Sequence, residues 1–543
     1  MIMEHQVGRE NRLVIAHMYF ATIALMVGAS FGLLQALSRA QWAAAPAWFD
    51  YYRMLTAHGV LNAIVFTTFF ICGLATLLTY RAIPRERSLW IGWLAFWVMA
   101  ISSIMAALSI LRGNATVLYT FYAPLKASPW FYIGTTLLVV GTWIVMIDLI
   151  QNALWFWRNH PGERLPLVAH GSLTTFVMWF IATIGVAIEM LVFLIPWSLG
   201  LVPKVNVMFT RVLFWYFGHP LVYFWIMGAY LIWYNLVPRF YGGKVFSDAL
   251  TRLAFILLLL LSTPVGLHHQ FMEPGISPGW KWLHTMTTFG VVIPSILTAF
   301  AIFASFELAA QRAGVKGFAA TIAWLPWKNP AFTGPALGMI LFIFGGLGGV
   351  INASYAMDTI VHNTMWIVGH FHVTVGGPVA LSFLGAAYWI IPRLTGRRLW
   401  APNLALAQTY TWFVGMAIMS TAMHWAGILG SPRRTDNVTY LGAAAASSWM
   451  PQMHWAAIGG TILFMSILMF VAVAIGTLFT PKTQMDPILP ASVEDEALAT
   501  PAVLDRIGTW AVVAIVLAVL AYAGPIHELL TMHTYGAAGM RTW

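Results

Sequence analysis

The sequence is poor in cysteine, and this limits the metal centres that the chain can hold by itself. Cys72 is the only cysteine among 543 residues. A disulfide needs two cysteines, and iron–sulfur clusters and thiolate-ligated copper centres also depend on cysteine sulfur. The sequence therefore excludes an internal disulfide, a cysteine-ligated cluster and a thiolate copper centre within this chain. Any such centre must belong to a partner.

Charged residues are also scarce, which excludes an ordinary soluble protein. They make up 8% of the chain, whereas hydrophobic residues make up 60%, and soluble domains have a very different balance. Apolar stretches of about 18 or more residues, long enough to span a membrane, recur along the whole length. We predict an all-α integral membrane bundle of about thirteen transmembrane helices, which cover approximately residues 13–37, 54–80, 89–111, 129–147, 168–196, 212–237, 253–272, 283–306, 331–357, 359–391, 403–430, 453–480 and 508–526.

Long loops are missing between these stretches. The longest polar insert runs from Lys482 to Arg506 and is acidic and proline-containing. An insert of this size is too short to form a domain of its own. We therefore predict that residues 1–543 form a single transmembrane domain.

The positive charges are unequally divided between the two sides of the predicted bundle. The net charge is +10, and alternate loops divide the 28 Lys and Arg residues into 18 on the side of the N-terminus and 10 on the other. Cytoplasmic loops carry the excess of Lys and Arg in membrane proteins. We predict a cytoplasmic N-terminus and, after thirteen spans, a C-terminus outside. This distribution favours a membrane protein over a protein that binds nucleic acid.

Histidines inside the predicted spans are the most informative feature that is present. A buried imidazole is unfavourable in a membrane without a partner, and a metal ion is its commonest partner. The predicted orientation puts six of them in the outer half of the bilayer, namely His58, His219, His268, His269, His370 and His372. A metal site is therefore the first hypothesis. The alternative, an imidazole that only hydrogen-bonds a carbonyl group, is retained for His284, His424 and His454.

The step between His370 and His372 predicts two separate metals. Two residues correspond to about 200° around a helix, so the two rings face opposite sides and do not easily bind one atom. They suit metals that flank the helix on its two faces. His58 is then free to pair with one of these faces.

The adjacent pair His268 and His269 predicts a different arrangement. Neighbouring residues of a helix are about 100° apart, so both rings could converge on one ion. With His219 from the preceding span they would form a three-imidazole site with an open position. Tyr223 follows His219 by one helical turn, so the two rings lie on one face and can touch.

Three segments carry a resemblance to a known family. They are WYFGHPLVYFW at residues 215–225, STPVGLHHQ at 262–270 and HNTMWIVGHFH at 362–372. They resemble subunit I of the haem-copper oxidases, and the likeness covers essentially the whole chain. It is closest to the B-type branch, the ba-type cytochrome c oxidases.

The resemblance implies two haems and one copper ion inside the helix bundle. His58 and His372 would ligate a low-spin haem, expected to be of b type, on both faces. His370 would be the proximal ligand of a high-spin haem of a-type or modified form, which has an open distal face. The copper ion opposite that face would be held by His219, His268 and His269.

The resemblance also implies a catalytic role for Tyr223 beside His219. In this family the tyrosine is covalently joined to the histidine and supplies an electron and a proton when the O–O bond breaks. The alternative is an aromatic residue that only fills the core. The commonest form of this motif has a glutamate where this chain has Leu221, and that glutamate ends the second proton pathway of A-type oxidases. We therefore expect that pathway to be absent here.

A line of hydroxyl groups is similar to the single proton-input pathway of the B-type enzymes. The chain departs from the expected pattern at Ala301, where a threonine would extend the line, so a water could fill the gap. Helix packing is the alternative role for such a stripe. The residues assigned to the pathway by resemblance are Tyr230, Tyr234, Ser247, Ser295 and Thr298.

Polar residues at the outer ends of the spans form a further group. Arg433 and Arg434 lie on the side with fewer positive charges, so they are expected to pair with a negative charge nearby. The resemblance implies that Arg433, Arg434, Asp358 and His362 lie at the haem propionates and the proton-exit region. The alternative is plain loop charge. Glu189, an intramembrane carboxylate, is expected near the same region.

The function implied by the resemblance is that of a terminal respiratory oxidase. It would take electrons from cytochrome c, or a similar small donor, through a subunit II that carries a dinuclear copper centre. It would reduce dioxygen to water and translocate protons across a bacterial or archaeal cell (inner) membrane. A small single-helix subunit is a further possible partner.

Other functions remain open from the sequence. A nitric oxide reductase has similar haem ligands, but has iron in place of copper and lacks the tyrosine that corresponds to Tyr223. A quinol oxidase would differ chiefly in its partner subunit. A membrane transporter without cofactors would be consistent with thirteen spans, but it leaves the six buried histidines unexplained.

Overall fold

The computed structural model of the protein describes residues 2–43, 50–494, 500–531 and 535–542, with only the backbone for residues 2–5. This part of the chain is predominantly α-helical. The helices, in chain order, are α1 (Ile2–Arg39), α2 (Tyr51–His58), α3 (Thr67–Ala82), α4 (Trp90–Leu111), α5 (Pro129–Asn159), α6 (Leu167–Ile188), α7 (Ile195–Ser198), α8 (Val207–Asn235), α9 (Val237–Phe240), α10 (Asp248–Leu261), α11 (Pro278–Gly290), α12 (Val292–Arg312), α13 (Phe318–Trp324), α14 (Pro330–Ala353), α15 (Tyr355–Val361), α16 (Met365–Phe371), α17 (Leu381–Thr395), α18 (Pro402–Ile428), α19 (Met450–Thr477) and α20 (Ile507–Thr531).

The prediction of an all-α membrane bundle is confirmed. Apolar side chains cover most of the helices, and a spanning helix satisfies all of its backbone hydrogen bonds internally. Within the described ranges, eleven helical segments are long and apolar enough to cross a membrane: Gln6–Arg39, Tyr51–Ala82, Trp90–Leu111, Pro129–Asn159, Leu167–Ser198, Val207–Phe240, Pro278–Arg312, Pro330–Ala353, Met365–Thr395, Met450–Thr477 and Ile507–Thr531.

Two of the thirteen predicted spans are not among these eleven. The stretch 403–430 forms α18, which has sufficient length, but its Asn, Gln, Ser, Thr and His side chains reduce its hydropathy. The stretch 253–272 is helical only as far as Leu261. Pro264 lies in the turn that follows, and because proline has no N–H and clashes with a preceding helical turn, α10 does not continue through it.

Three short π-helices interrupt the spans in the part of the chain that the structure describes. They cover Gly59–Phe66, Glu189–Leu194 and His372–Ala380. Each begins at, or directly after, a residue that the sequence analysis singled out: His58, Glu189 or His372. A π-helical turn contains more residues than an α-helical turn, so it changes the direction of the side chains that follow. The hydrophobic pattern of the sequence contains no signal for these turns.

Among the described residues, four two-residue strands connect loops at one end of the bundle. They are β1 (Leu125–Lys126), β2 (Val205–Asn206), β3 (Gly536–Ala537) and β4 (Met540–Arg541). β1 pairs with β4 in parallel, and β2 pairs with β3 in antiparallel orientation. The segment after α20 therefore lies across the loop between α4 and α5 and the loop between α7 and α8.

Candidate metal centre

Three histidines from two elements converge in the described structure. His219 lies in the middle of α8, and His268 and His269 lie on a 3₁₀ turn, Gly266–Gln270. One ligand nitrogen from each ring lies within 4.8 Å of the others. The ring centroids of His219 and His268 are 4.3 Å apart, as are those of His268 and His269. The structure thus brings together the three residues that were predicted to share one ion.

The turn that carries the histidine pair is pressed against α8. A Cβ atom on Gly266 would overlap the backbone carbonyl of Trp215 on α8. Only glycine allows this close approach, because every other residue carries a Cβ atom. The break after α10 and the glycine together let His268 and His269 reach the His219 ring.

Hydrogen bonds fix which nitrogen of His268 is free. Nδ1 of His268 lies 2.8 Å from the Thr288 hydroxyl oxygen, and that hydroxyl donates to the backbone carbonyl of His284 at 2.5 Å. A hydroxyl has one proton to donate, so Thr288 must accept from Nδ1–H of His268. Nε2 of His268 therefore carries the lone pair that a metal ion needs.

The other two histidines are also arranged as ligands. Nε2 of His219 is buried and has no hydrogen-bond partner among the described residues. Nδ1 of His219 lies 3.0 Å from Nε2 of His269, and the His269 ring stacks on Trp215 at 3.8 Å between centroids. Converging imidazole nitrogens with an orphaned buried atom fit a copper ion, for which imidazole is a preferred ligand.

Helix α11 also contacts the histidine turn. The ammonium group of Lys281 is buried and donates to the backbone carbonyls of Phe271 and Glu273, at 2.6 and 3.0 Å. The hydroxyl of Thr287 donates to the Pro264 carbonyl at 2.9 Å. Two ends of the loop are thereby fixed to one helix.

His284 of α11 has a supporting role in the same loop. Its Nδ1 accepts a hydrogen bond from the backbone N–H of Leu267 at 3.3 Å, and its Nε2 donates to the Ala521 carbonyl of α20 at 3.1 Å. Both ring nitrogens are therefore used in hydrogen bonds to backbone. The contacts of Lys281 and Thr288 were not predicted from the sequence, although Lys281 precedes His284 by three residues and Thr288 follows His284 by four, which places all three on one helix face.

The side chain of Tyr223 lies beside the candidate metal centre. Its ring centroid is 4.9 Å from that of His219, with an angle of 67° between the rings. The one-turn step on α8 therefore produces the contact expected from the spacing. Leu221, between the two, is buried and carries no ionisable group.

A second pair of histidines faces one another across a cavity. The rings of His58 and His372 are nearly parallel, at 13°, and their centroids are 5.9 Å apart. Nδ1 of His58 lies 2.9 Å from the carbonyl of Gly28, and Nδ1 of His372 lies 2.8 Å from the carbonyl of Val368. A carbonyl only accepts, so both Nδ1 atoms donate and both Nε2 atoms keep a lone pair.

The cavity between these rings has the character of a haem site. It encloses about 240 Å³ and is lined mainly by apolar residues of several helices. A Cβ atom on Gly32 would lie 2.6 Å from the His58 ring, so the glycine leaves room for the imidazole. Three arginines also line the cavity, of which Arg39 was missed in the sequence analysis; they are Arg39, Arg433 and Arg434. An apolar cavity with two opposed imidazoles and cationic groups fits a bis-histidine haem with propionates.

His370 has surroundings different from those of His372. Its ring lies against Gly348 and Gly349 of α14, where added Cβ atoms would be 3.1 and 3.2 Å away. Its Nδ1 is near the Gly345 carbonyl, without a hydrogen bond of ordinary geometry. His370 and His372 therefore contact different parts of the bundle, as their spacing predicted.

The hydroxyl residues assigned to a proton pathway lie along α8 and α12. The hydroxyls of Tyr230 and Tyr234 are buried and form no hydrogen bond of ordinary geometry. Tyr230 lies close to Ser295 and Thr298, and Tyr234 lies close to Thr298. Ser247 instead caps α10, since its hydroxyl oxygen accepts from the N–H of Leu250 at 3.3 Å.

The polar residues predicted at the outer end form two separate contacts. His362 and Asp358 are joined through Nδ1 and Oδ2 at 2.8 Å. The Arg433 guanidinium donates to the side-chain oxygen of Asn363 at 2.8 Å. Burial and the adjacent Arg434 lower the pKa of Arg433 to about 10.

Arg434 lies over the faces of two tyrosines. Its guanidinium carbon is 5.4 Å from the ring centroid of Tyr119 and 5.3 Å from that of Tyr122. Burial alone lowers the pKa of Arg434, but the two tyrosine hydroxyls outweigh this effect and raise it. The hydroxyl of Tyr52 donates to the Arg434 carbonyl at 3.0 Å, so the backbone is held as well.

Glu189 is isolated from these polar groups. It is fully buried, and neither carboxylate oxygen has a hydrogen-bond partner among the described residues. It opens the π-helix Glu189–Leu194. The structure therefore contains no hydrogen bond that joins Glu189 to the group around Asp358.

Comparison with known proteins gives one consistent result. Residues 12–462 match the family described as "Cytochrome C and Quinol oxidase polypeptide I". The cytochrome c oxidase subunit 1 of Thermus thermophilus is 41% identical to this chain, over 98% of this chain and 97% of the relative. The cytochrome c oxidase polypeptide 1 of Halobacterium salinarum is 26% identical, over 71% of this chain and 65% of the relative.

A solved structure is also similar to this chain. It comes from a study described as "Cryo-EM structure of a heme-copper terminal oxidase dimer provides insights into its catalytic mechanism". The TM-score is 0.93 at 37% identity, and the alignment covers 96% of this chain and 93% of that chain. The likeness thus includes both sequence and fold over nearly the whole length.

Proposed function

This chain belongs to the haem-copper oxidase family as a subunit I polypeptide, and from that premise we propose how its residues serve a cytochrome c oxidase. The proposal rests on the arrangement of five histidines. Three histidine nitrogens converge beside α8, and the rings of a separate pair of histidines face each other across an apolar cavity. Two metal environments of this kind, one open and one closed, suit catalysis and electron relay respectively.

The histidines divide between three metal atoms. His58 and His372 would hold the iron of a low-spin haem, and His370 would hold the iron of a high-spin haem. A copper ion would bind to the three converging rings, which are His219, His268 and His269. When bound, these groups would supply electron transfer and the reduction of dioxygen to water. The type of haem at each site is part of the proposal, with b type at the low-spin position, as in the B-type branch.

The protein residues prepare and protect this chemistry. Thr288 keeps His268 in the tautomer with a free Nε2, and Lys281 and His284 keep the turn in position. The surrounding apolar residues exclude bulk water. Tyr223, beside His219, would provide a proton and an electron from its phenol group.

Protons would reach the site along the hydroxyl line. We assign this input route to Tyr230, Tyr234, Ser247, Ser295 and Thr298. Leu221 cannot carry a proton, so a second route through that position is not proposed. Arg433, Arg434, Asp358 and His362 would interact with the haem propionates and the exit of pumped protons, and the role of Glu189 is not specified.

The partners and the orientation complete the proposal. Electrons would come from cytochrome c or a similar small donor through a subunit II with a dinuclear copper centre. A thiolate-ligated copper centre would have to belong to a partner, because this chain has only one cysteine. A small single-helix subunit could accompany them. The N-terminus would be cytoplasmic and the C-terminus outside, and proton translocation would run outward.

The first experiment is optical and analytical. We would record reduced-minus-oxidised and carbon monoxide difference spectra of the purified protein, and measure iron and copper in the same sample. We expect two haems, of which one binds carbon monoxide, and one copper. Two haems with an additional non-haem iron in place of copper would indicate a nitric oxide reductase, and a protein without haem would overturn the proposal.

A further inference from the structure

The proposed proton-input route has a gap on α12. Thr298 is followed at the expected position by Ala301, which is buried and has no hydroxyl. The next polar residue on that face is Ser305, seven residues and roughly 10 Å beyond Thr298 along the helix. Ser305 is also buried. Seven residues are close to two full turns, so both hydroxyls lie on the same face of α12.

The same face continues from Ser305 to the surface. Arg312 follows after a further seven residues, and its guanidinium forms a bidentate ion pair with Glu494, with N–O distances of 2.5 Å. The side chain of Arg312 is 58% exposed. The backbone N–H of Glu494 donates to the Val245 carbonyl at 2.7 Å, which fixes this loop beside the turn that precedes α10. Thr298, Ser305 and Arg312 thus define one line from the interior to solvent.

Tyr241 stands beside this line. Its ring packs against Phe306 of α12 and Phe332 of α14, at 5.2 and 6.3 Å between centroids. Its hydroxyl is buried, lies near the Ser305 side chain and forms no hydrogen bond of ordinary geometry. Glu494 is close enough to act on that hydroxyl electrostatically. Burial raises the pKa of Tyr241, so the phenol is neutral and can both donate and accept a proton.

Packing of the ring does not explain why residue 241 carries a buried hydroxyl. A phenylalanine would make the same ring contacts, whereas burying a hydroxyl without a well-formed hydrogen bond is unfavourable. Tyr241 follows Tyr234 by seven residues, as Tyr230 follows Tyr223, but it lies beyond the end of α8 at Asn235 and directly after α9, so the spacing alone does not place it. Tyr241 adds a buried hydroxyl beside Ser305, on the surface side of the gap at Ala301.

We propose that Tyr241 and Ser305 form the surface section of the proton-input route and connect the Glu494–Arg312 surface with Thr298 and Tyr234. Tyr241 takes up a proton that reaches its buried hydroxyl by way of water from the Glu494–Arg312 surface, as it passes its own hydroxyl proton to Ser305. The Ser305 hydroxyl turns away from the Ala301 carbonyl, to which it donates at 2.8 Å, and passes a proton to a water beside Ala301. The water passes a proton to Thr298, which releases its own hydroxyl proton toward Tyr234, so each hydroxyl keeps one proton, one proton moves inward and no electron is transferred. This inference rests on the proposed function of the hydroxyl line.

The main test compares hydroxyl-deletion variants of the purified holoenzyme. We would measure oxygen consumption with ascorbate and a small redox mediator, and proton uptake with a pH-sensitive dye after flash photolysis of carbon monoxide. Tyr241→Phe and Ser305→Ala are each expected to slow both rates by about fivefold or more, which corresponds to about 1 kcal/mol in the barrier. Ser305→Thr keeps the hydroxyl and is expected to restore the rate. Carbon monoxide binding and both haem spectra should not change.

Matched controls separate this inference from the proposed function. Tyr410→Phe removes a hydroxyl that only donates to the Trp327 carbonyl, and it should leave both rates unchanged.

If Tyr230→Phe and Tyr234→Phe slow proton uptake but Tyr241→Phe and Ser305→Ala do not, the surface section is wrong and the inner route stands. If none of the four has an effect, the proposed route itself is overturned. If Ser247→Ala alone slows uptake, protons enter beside α10 instead of at Tyr241.

Discussion

Thr288 accepts a hydrogen bond from Nδ1 of His268 at 2.8 Å while it donates its only proton to the backbone of His284. This pair of contacts sets the tautomer of His268. A side chain three turns from the start of α11 therefore determines which nitrogen is available to a metal ion.

We predict that Thr288→Val reduces copper retention. Valine has a similar shape but cannot accept from Nδ1–H, so His268 can rotate or change its tautomer. Loss of such a supporting contact lowers metal affinity by about 10–100-fold. The measurement is copper content after dialysis against a chelator, together with the two haem spectra, which should persist. Thr285→Val removes a hydroxyl bonded only to the preceding turn and serves as the control; equal copper retention in both variants would contradict the role of Thr288.

We predict that Lys281→Met destabilises the protein and loosens the histidine turn. The substitution leaves the carbonyls of Phe271 and Glu273 without their buried donor, at a cost of about 1–3 kcal/mol. Thermal unfolding of the purified protein and copper content would be measured together. Lys204→Met, at an exposed position, is the matched control. An unfolding temperature equal to that of the unmodified protein would show that the ammonium group does not support the turn.

We predict that His370→Ala removes carbon monoxide binding but leaves a bis-histidine low-spin spectrum. The reason is that His370 and His372 contact different parts of the bundle, so one can be removed without the other. Difference spectra provide the measurement, and His454→Ala, at a histidine stacked on Trp42, provides the control. A folded protein that had lost both haems would refute the separate assignments.

We predict that Tyr223→Phe lowers turnover by about 100-fold or more, since a positioned proton donor contributes at least that much to many reactions. The ring contact with His219 would remain, so both haems and the copper should be retained. Turnover and metal content are the two quantities to compare. A variant with full activity would leave Tyr223 as a packing residue only.

We predict that Arg433→Gln lowers the midpoint potential of the low-spin haem. Reduction adds negative charge, and a cation in the wall of the haem cavity stabilises the reduced form; its removal favours the oxidised form. Redox titration of the low-spin haem gives the measurement. Arg112→Gln, at an exposed loop position, should leave the potential unchanged, and an unchanged potential in Arg433→Gln would separate Arg433 from the haem site.

The class of fold and the family could be predicted from the sequence because both depend on patterns within single segments of the chain. Apolar stretches long enough to span a membrane can be recognised without the tertiary structure, and each histidine motif lies within a single segment. The grouping of His219 with His268 and His269 was predicted from α-helical geometry. The structure brings the three rings together, but His268 and His269 lie on a 3₁₀ turn after the end of α10. The identity of the bound ion stays a prediction.

The remaining features depend on contacts between distant segments. The break of α10 before Pro264 could have been expected, whereas the three π-helices have no local signal. The contacts of Lys281 and Thr288 depend on how α11 lies against a loop, which the hydrophobic pattern does not specify. Ser305 and Tyr241 follow seven-residue steps that the sequence contains, but the sequence does not indicate that the two side chains meet.

The hydrogen bond from His284 to the Ala521 carbonyl joins positions that are 237 residues apart. At a synthesis rate of about 5–20 residues per second, Ala521 is made roughly 10 to 50 seconds after His284. During that interval the histidine turn lacks one of its supports. The order of translation therefore delays the completion of this support until α20 has been made and has docked against α11.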